Sequence, residues 1–239
     1  MMKVTVITAV LNRAAALDVT MRSVFGLKRG GLDYIVIDGG STDGTVEVIK
    51  THAHRLKCWR SEPDNGIYDA MNKGWTLADP DSRLLFLGAG DRLLSLPGDE
   101  HGDIESLIVL YGNVQLEGGQ LFHAGAGCRL RLYNALHHQA LLVPKKLHPA
   151  APFDLSYPRY ADFDFNQRLA RRGVKFLFEP ALSAYAAADG LTKELHLGEL
   201  ASIIRKNYGP LWSWLSIVGF NLARGIPLLA KLRPIRKIT

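Results

Sequence analysis

Cysteine is scarce in this 239-residue chain: only Cys58 and Cys128 are present, far apart and without metal-ligand spacing. That excludes a disulfide framework and a structural zinc ribbon, and it predicts a reducing compartment. Long hydrophobic runs are missing too. The run "LWSWLSIVGF" (211–220) is followed by Asn221, Arg224 and Pro227, short of the about 20 apolar residues a membrane span needs. The first apolar run, "VTVITAVL", is brief and lacks a small-residue cleavage pattern, so no signal peptide is expected. The familiar phosphate cradles are absent. No G-x-x-x-x-G-K-[ST] occurs, and "GAGDRL" lacks the third glycine of the dinucleotide fingerprint. Acidic side chains are absent from Ala201 onward, where Arg205, Lys206, Arg224, Lys231, Arg233, Arg236 and Lys237 stand in a chain of net charge +6. Such a tail favours an anionic partner. Nucleic acid fits poorly, because these cations lie in an apolar stretch with no aromatic stacking sheet.

What is present is an alternation. "KVTVITAV", "LDYIVIDGG", "LKCWRSEP" and "SRLLFLGAGD" are short, β-branched or apolar runs that read as strands. Between them, Leu17, Met21, Val24 and Phe25 share a helical face. "STDGTVEVIKTH" reads as a helix capped near Ser41, Thr42 or Asp43, and "GIYDAMNKGWTLA" as a third helix. This order predicts an α/β fold: a mostly parallel central sheet with helices on both faces. Further on, "LIVLYGNVQLEGGQLFHAG" predicts a hairpin, "YADFDFNQRLARRG" a helix ending at Gly173, and "VKFLFEP" a strand. With no repeat and no low-complexity linker, residues 1–200 read as one domain and 201–239 as a basic, apolar helical tail.

Ligands of parallel sheets bind beyond the carboxyl ends of the strands. That rule selects Thr8 to Asn12, Asp38 to Asp43, Glu62 to Asn65 and Gly88 to Asp91. Asp38 and Asp91 end strands beside glycines that permit close approach. A carboxylate so placed suits Mg²⁺ or Mn²⁺ held by few protein ligands plus phosphate oxygens, or else it is simply a turn residue. His137 and His138 have no partner at metal-ligand spacing, which leaves acceptor hydrogen bonding or packing. His52, His54 and His101 read as solvated.

The segments "ITAVLNR", "IVIDGGSTDGT", "SEPDNGIYDAMNKG", "LFLGAGD" and "YADFDFNQRL" together resemble family 2 glycosyltransferases of the GT-A fold. The likeness runs from about residue 3 to residue 190, nearest to exopolysaccharide enzymes of the colanic-acid type; five motifs in register carry it. It implies inverting sugar transfer from a UDP- or GDP-linked donor to a hydroxyl of a lipid-linked saccharide. It implies a cytoplasmic protein, peripheral on the inner face of the membrane. By the same resemblance, Thr8 lines the nucleotide pocket, Asp38 faces the base and Asp91 holds the metal. Asp162 is the catalytic base, with Asp164 ranked second, and "HHQALLV" brings His138 and Gln139 to the acceptor side. Asn12, Gly39 and Gly90 complete the expected donor rim. Asp64, Asn65 and Asp69 either contact sugar or ribose hydroxyls or make a turn and cap a helix.

The sequence departs from the family where an acidic residue commonly precedes the metal aspartate; here it is Gly90. Met71 stands where an arginine is common. These departures keep open a catalytically silent sugar-nucleotide-binding protein. A nucleotidyltransferase would need a Gly-rich loop with Arg and Lys after the first strand, which "TAVLNRAAA" is not. The tail, with Trp212 and Trp214 beside basic residues, suits a helix lying in a membrane interface, and alternatively one closing the core or a dimer contact.

Overall fold

The computed structural model describes residues 2–98, 107–148, 150–187, 196–225 and 235–237; His101 and residues 226–234 of the tail lie outside them. The predicted alternation is present: β1 (Val4–Val10), α1 (Ala14–Gly26), β2 (Leu32–Asp38), α2 (Thr45–His52), β3 (Cys58–Ser61), α3 (Ile67–Leu77) and β4 (Arg83–Gly88). β1 pairs in parallel with β2 and β4, and β2 with β3. Every residue of β1 is buried, as expected of a strand covered on both faces. Alternate side chains divide the core into two layers. Ile7, Ile35, Ile37 and Phe86 face α3 through Met71 and Trp75. Val6, Val36, Leu85 and Leu87 face Leu17, Met21 and Val24 of α1 and Ile49 of α2. Gly74 sets the spacing between α3 and β1, since a Cβ there would meet Ile7 Cγ2 at 2.4 Å.

The second half makes the sheet mixed rather than mostly parallel. β5 (Arg92–Ser95), β6 (Val109–Leu116), β7 (Gln120–Phe122), β8 (Leu141–Pro144) and β9 (Phe176–Ala186) follow. β6 and β7 form the predicted hairpin, with Gly118 and Gly119 at φ 87° and 75° in its turn, the left-handed conformation such turns require. β8 joins the halves by pairing antiparallel with both β4 and β6. Among the described residues the sheet has ten strands, including a short β10 (Ile235–Lys237) paired with β7.

α4 (Ala161–Arg171) precedes β9, and α5 (Leu197–Tyr208) and α6 (Pro210–Gly225) follow it. Residue 200 falls inside α5, where Leu200, Ile203 and Ile204 bury against Tyr160 and Phe163. His54 is exposed as expected, but His52 is not a solvated side chain. Its ring lies 5.5 Å from Phe25 and its Nε2 is 3.4 Å from Asp18, because the end of α2 packs back on α1.

Candidate active site

The carboxyl ends of β1, β2 and β4 converge on one rim. Asn12 has φ 50°, a left-handed conformation that asparagine tolerates better than most residues. Its side-chain oxygen accepts from Thr42 N at 2.8 Å, and its own N–H donates to Ser41 Oγ at 2.7 Å. The loops after β1 and β2 are thereby tied together. Asp43 braces the starts of α1 and α2, accepting from Ala14 N at 3.2 Å and from Thr45 N at 3.0 Å. The N-cap of α2 is Gly44, one residue beyond the expected Ser41, Thr42 or Asp43, and Asp43 satisfies the first helical N–H from just outside it.

Asp38 is fully buried and accepts from Gly40 N, Ser41 N, Ser41 Oγ and Ser61 Oγ. Thr8 is also fully buried, its side chain 2.9 Å from Tyr34 Oη and its backbone enclosed between β2 and β4, so contrary to expectation it does not reach the rim. Asp64 lies against Gly39, where a Cβ would approach its Oδ2 to 2.4 Å. Gly39 therefore provides the room that Asp64 occupies.

The stretch "SEPDNGIYDAMNKGW" has two faces. On its outer face, Asp64 accepts from Gly66 N at 2.8 Å and Asp69 from Asn65 N at 2.9 Å. Lys73 reaches Pro63 O at 2.8 Å and Glu62 at 3.2 Å. The polar density thus builds a rigid turn and helix start, with Asp64, Asn65 and Asp69 still accessible. On its inner face, Tyr68 and Asn72, one helical turn apart, hold the segment leading into α4. Asn72 exchanges two 2.9 Å hydrogen bonds with the backbone of Phe153. Tyr68 Oη is 2.9 Å from Arg159 O and 3.0 Å from Asp162 Oδ1. The sequence reading missed Tyr68. Its only signal was a polar-tipped aromatic on the apolar face of α3.

Asp91 and Asp162, distant in sequence, are joined by two adjacent residues. Gln139 Nε2 donates to Asp91 Oδ2 at 3.1 Å, and His138 Nδ1 lies 3.1 Å from Asp162 Oδ2. Asp91 also accepts from Gly88 N at 2.8 Å and Ala187 N at 3.0 Å. Gly90, at φ 108°, turns the chain between β4 and β5 and donates its N–H to Thr20 Oγ1. Phe163 N donates to Asp162 Oδ1 at 2.8 Å. With about four lone-pair sites per carboxylate, Asp91 Oδ1 and Asp162 Oδ2 each retain capacity for another partner.

Burial pushes the Asp162 carboxyl up, but the His138 hydrogen bond and charge, with the Tyr68 hydroxyl, leave it below its ordinary value. Burial lowers His138, and the bond to Asp162 outweighs it, so the imidazole is raised. Each of the two thus favours the charged form of the other. His137 is instead depressed by burial and by its neighbour's charge, with its ring 4.2 Å from that of Phe122.

Asp164 serves the structure. It is fully buried and is bonded by Arg168 Nε at 2.8 Å and Asn207 Nδ2 at 3.0 Å, tying α4 to α5.

Among the described residues no group of three or more His, Cys, Asp or Glu side chains could hold a metal. One carboxylate plus diphosphate oxygens is nevertheless an ordinary Mg²⁺ arrangement. Asp91 fits it, and beside Asp91 the Gln139 Oε1 is buried without a hydrogen-bond partner, an acceptor with capacity to spare.

Residues 5–91 match the sequence profile of Glycosyl transferase family 2. A PGL/p-HBAD biosynthesis glycosyltransferase of Mycobacterium bovis is 34% identical over 175 residues, 68% of this chain and 68% of that one. The mannosyltransferase PcManGT from Pyrobaculum calidifontis, in complex with GDP-Man and Mn²⁺, superposes with a TM-score of 0.66 at 16% identity, over 96% of this chain and 73% of that one. TarS of S. aureus gives 0.63 at 13% identity, over 86% of this chain but 39% of that one. These structural likenesses establish the GT-A-like architecture. The relatives place the chain in the wider family and not specifically with exopolysaccharide enzymes.

Proposed function

The chain belongs to Glycosyl transferase family 2, and from that premise we propose that it moves a sugar, with inversion, from a UDP- or GDP-linked donor to a hydroxyl of a surface-saccharide acceptor. The observation that carries this reading is the junction of Asp91 and Asp162 through Gln139 and His138. One carboxylate is set for a diphosphate's cation, the other for a proton, and both belong to one connected cluster.

In this reading the nucleotide lies along the rim of Asn12 and Gly39, over the loop that the buried Asp38 braces, and Asp64, Asn65 and Asp69 meet sugar or ribose hydroxyls. Asp91 would hold a Mg²⁺ or Mn²⁺ ion, which would supply positive charge to the leaving diphosphate. Asp162 Oδ2 takes the proton of the acceptor hydroxyl as its oxygen attacks the anomeric carbon. The carbon–oxygen bond to the diphosphate breaks in the same displacement, and the nucleoside diphosphate departs with the bonding pair. Tyr68 and the Phe163 N–H fix Oδ1, leaving Oδ2 to face the acceptor. His138 and Gln139 stand on that side.

The test is a panel of UDP- and GDP-sugars, with Mn²⁺, read by thermal shift and by release of nucleoside diphosphate. One donor should raise the melting temperature and be consumed, with consumption lost in Asp162→Asn. Donor binding without any turnover toward water or sugar acceptors would instead mark a silent sugar-nucleotide-binding protein.

A further inference from the structure

α6 docks by a mixed face and leaves an apolar one outside. Toward the domain it turns Ser213 and Ser216, only 6% and 5% exposed, and Trp212, which packs against the cluster of Tyr160, Phe163, Leu200, Ile203 and Ile204. Ser213 Oγ donates to Ala201 O at 2.9 Å, and Ser216 Oγ bonds Leu132 O at 2.5 Å. Its outward residues are apolar: Leu211 is 65% exposed, Trp214 59% and Leu222 52%, with Leu215 and Ile217 also open. Leu211, Leu215, Val218 and Leu222 follow the spacing of one helical stripe, and Trp214 flanks it. An amphipathic helix ordinarily buries that stripe. Here two hydroxyl-to-carbonyl bonds and the Trp212 contact hold one side down and leave the leucine stripe facing out, as a docked plate and not a loose tail.

Cations border the plate. The sequence from Ala201 onward carries no Asp or Glu, and Glu199, just before it in α5, is turned to the Arg159 and Tyr160 N–H groups, accepting both through Oε1. Arg131 lies 5.1 Å from the Trp212 ring and 5.5 Å from that of Tyr208, and Arg129, Arg131 and Arg205 are exposed. The nearby carboxylates Asp154 and Asp164 are engaged by Lys206, at 3.0 Å and 3.3 Å. No helix among the described residues is long and apolar enough to cross a membrane.

We propose that the outward face of α6 is a docking plate for an anionic lipid bilayer, its leucines and Trp214 entering the interface and the surrounding arginines meeting lipid phosphates. Apolar insertion combined with attraction to anionic headgroups is how interfacial helices bind. A second copy of the chain is the poorer occupant. Two such faces brought together would oppose cation to cation, without the acidic partners that helix pairs use at their flanks. The docking is independent of the reaction proposed above.

The test is sedimentation of the full-length chain with phosphatidylcholine vesicles, with and without phosphatidylglycerol, across a salt series. The expected result is binding that needs phosphatidylglycerol and weakens with salt. The triple variant Leu211→Ser, Trp214→Ser, Leu222→Ser should reduce partitioning by at least about tenfold, as lost apolar burial implies. An unchanged melting temperature would show that the variant is folded. Binding that survives the triple substitution, or no binding at low salt, overturns the proposal. So does a concentration-dependent dimer, seen by light scattering without lipid, that the same triple substitution dissolves.

Discussion

His138 and Asp162 share one hydrogen bond, Nδ1 to Oδ2 at 3.1 Å, across 24 residues of chain. Each partner shifts the other toward its charged form. A raised His138 contributes stability that is complete below its ordinary value of 6.5 and is lost as pH rises through its raised value. A depressed Asp162 contributes stability that is complete above 3.8 and is lost as pH falls through its lowered value. The pair is therefore strongest between these limits. In His138→Gln the melting temperature should lose its decline on the alkaline side. The acid limb of kcat/KM should also move up, because burial then acts on Asp162 without the opposing imidazolium. An acid limb that stays in place would show that His138 only packs.

Asp162→Asn keeps the shape and removes the proton acceptor. The rate should fall by about 10²–10⁴-fold, as for loss of a general base, while donor binding by thermal shift is retained. Asp164→Asn is the contrasting variant. It loosens the Arg168 contact within α4 and the Asn207 contact from α5, so it should lower the melting temperature with a smaller effect on kcat.

Much of this was legible in the sequence, for identifiable reasons. Parallel strands buried on both faces appear as apolar runs, and the rule that ligands bind beyond strand ends selects Asp38 and Asp91 without further information. Tyr68 was not legible, because its partner Asp162 lies 94 residues away and nothing local marks the pairing. The bond from Gln139 to Asp91 was hidden for the same reason: it spans 48 residues. α6 was legible only as alternatives. Its tryptophans and basic flank suit a membrane interface, a core-closing helix or a dimer contact, and only the bonds from Ser213 and Ser216 to the Ala201 and Leu132 carbonyls show which side turns inward.

Asp91→Ala removes the carboxylate proposed for the cation. The stabilisation that Mn²⁺ adds to a donor complex, measured as the difference in melting temperature with and without the ion, should vanish. Asp91 also receives Gly88 N and Ala187 N, so the ligand-free melting temperature should fall as well. An undiminished Mn²⁺ increment would remove Asp91 from the metal site.

Gly39→Ala tests whether Asp64 belongs to the donor rim. The added methyl meets only the end of the Asp64 side chain, which can swing away, so stability should change by less than about 1 kcal/mol. The displaced carboxylate should raise donor KM, with kcat less affected. Asp69→Ala should do the same, and unchanged constants in both variants would make this segment purely structural.

Gly74→Val addresses the packing beneath the site. Gly74 faces the core, where even a Cβ would come within 2.4 Å of Ile7 Cγ2 and 3.4 Å of Ile37 Cγ1. Ile7 is fully buried between strands and α3, so it cannot swing aside as Asp64 can. Alanine at this position would recover up to about 1 kcal/mol of helix propensity, but valine's β-branch forfeits much of that gain. Overpacking should then prevail, at about 1–3 kcal/mol. For a domain of this size that is a fall of roughly 2–4 °C in melting temperature per kcal/mol. Because α3 also carries Tyr68 and Asn72, the shift of the helix should reach Asp162, and kcat should fall together with stability.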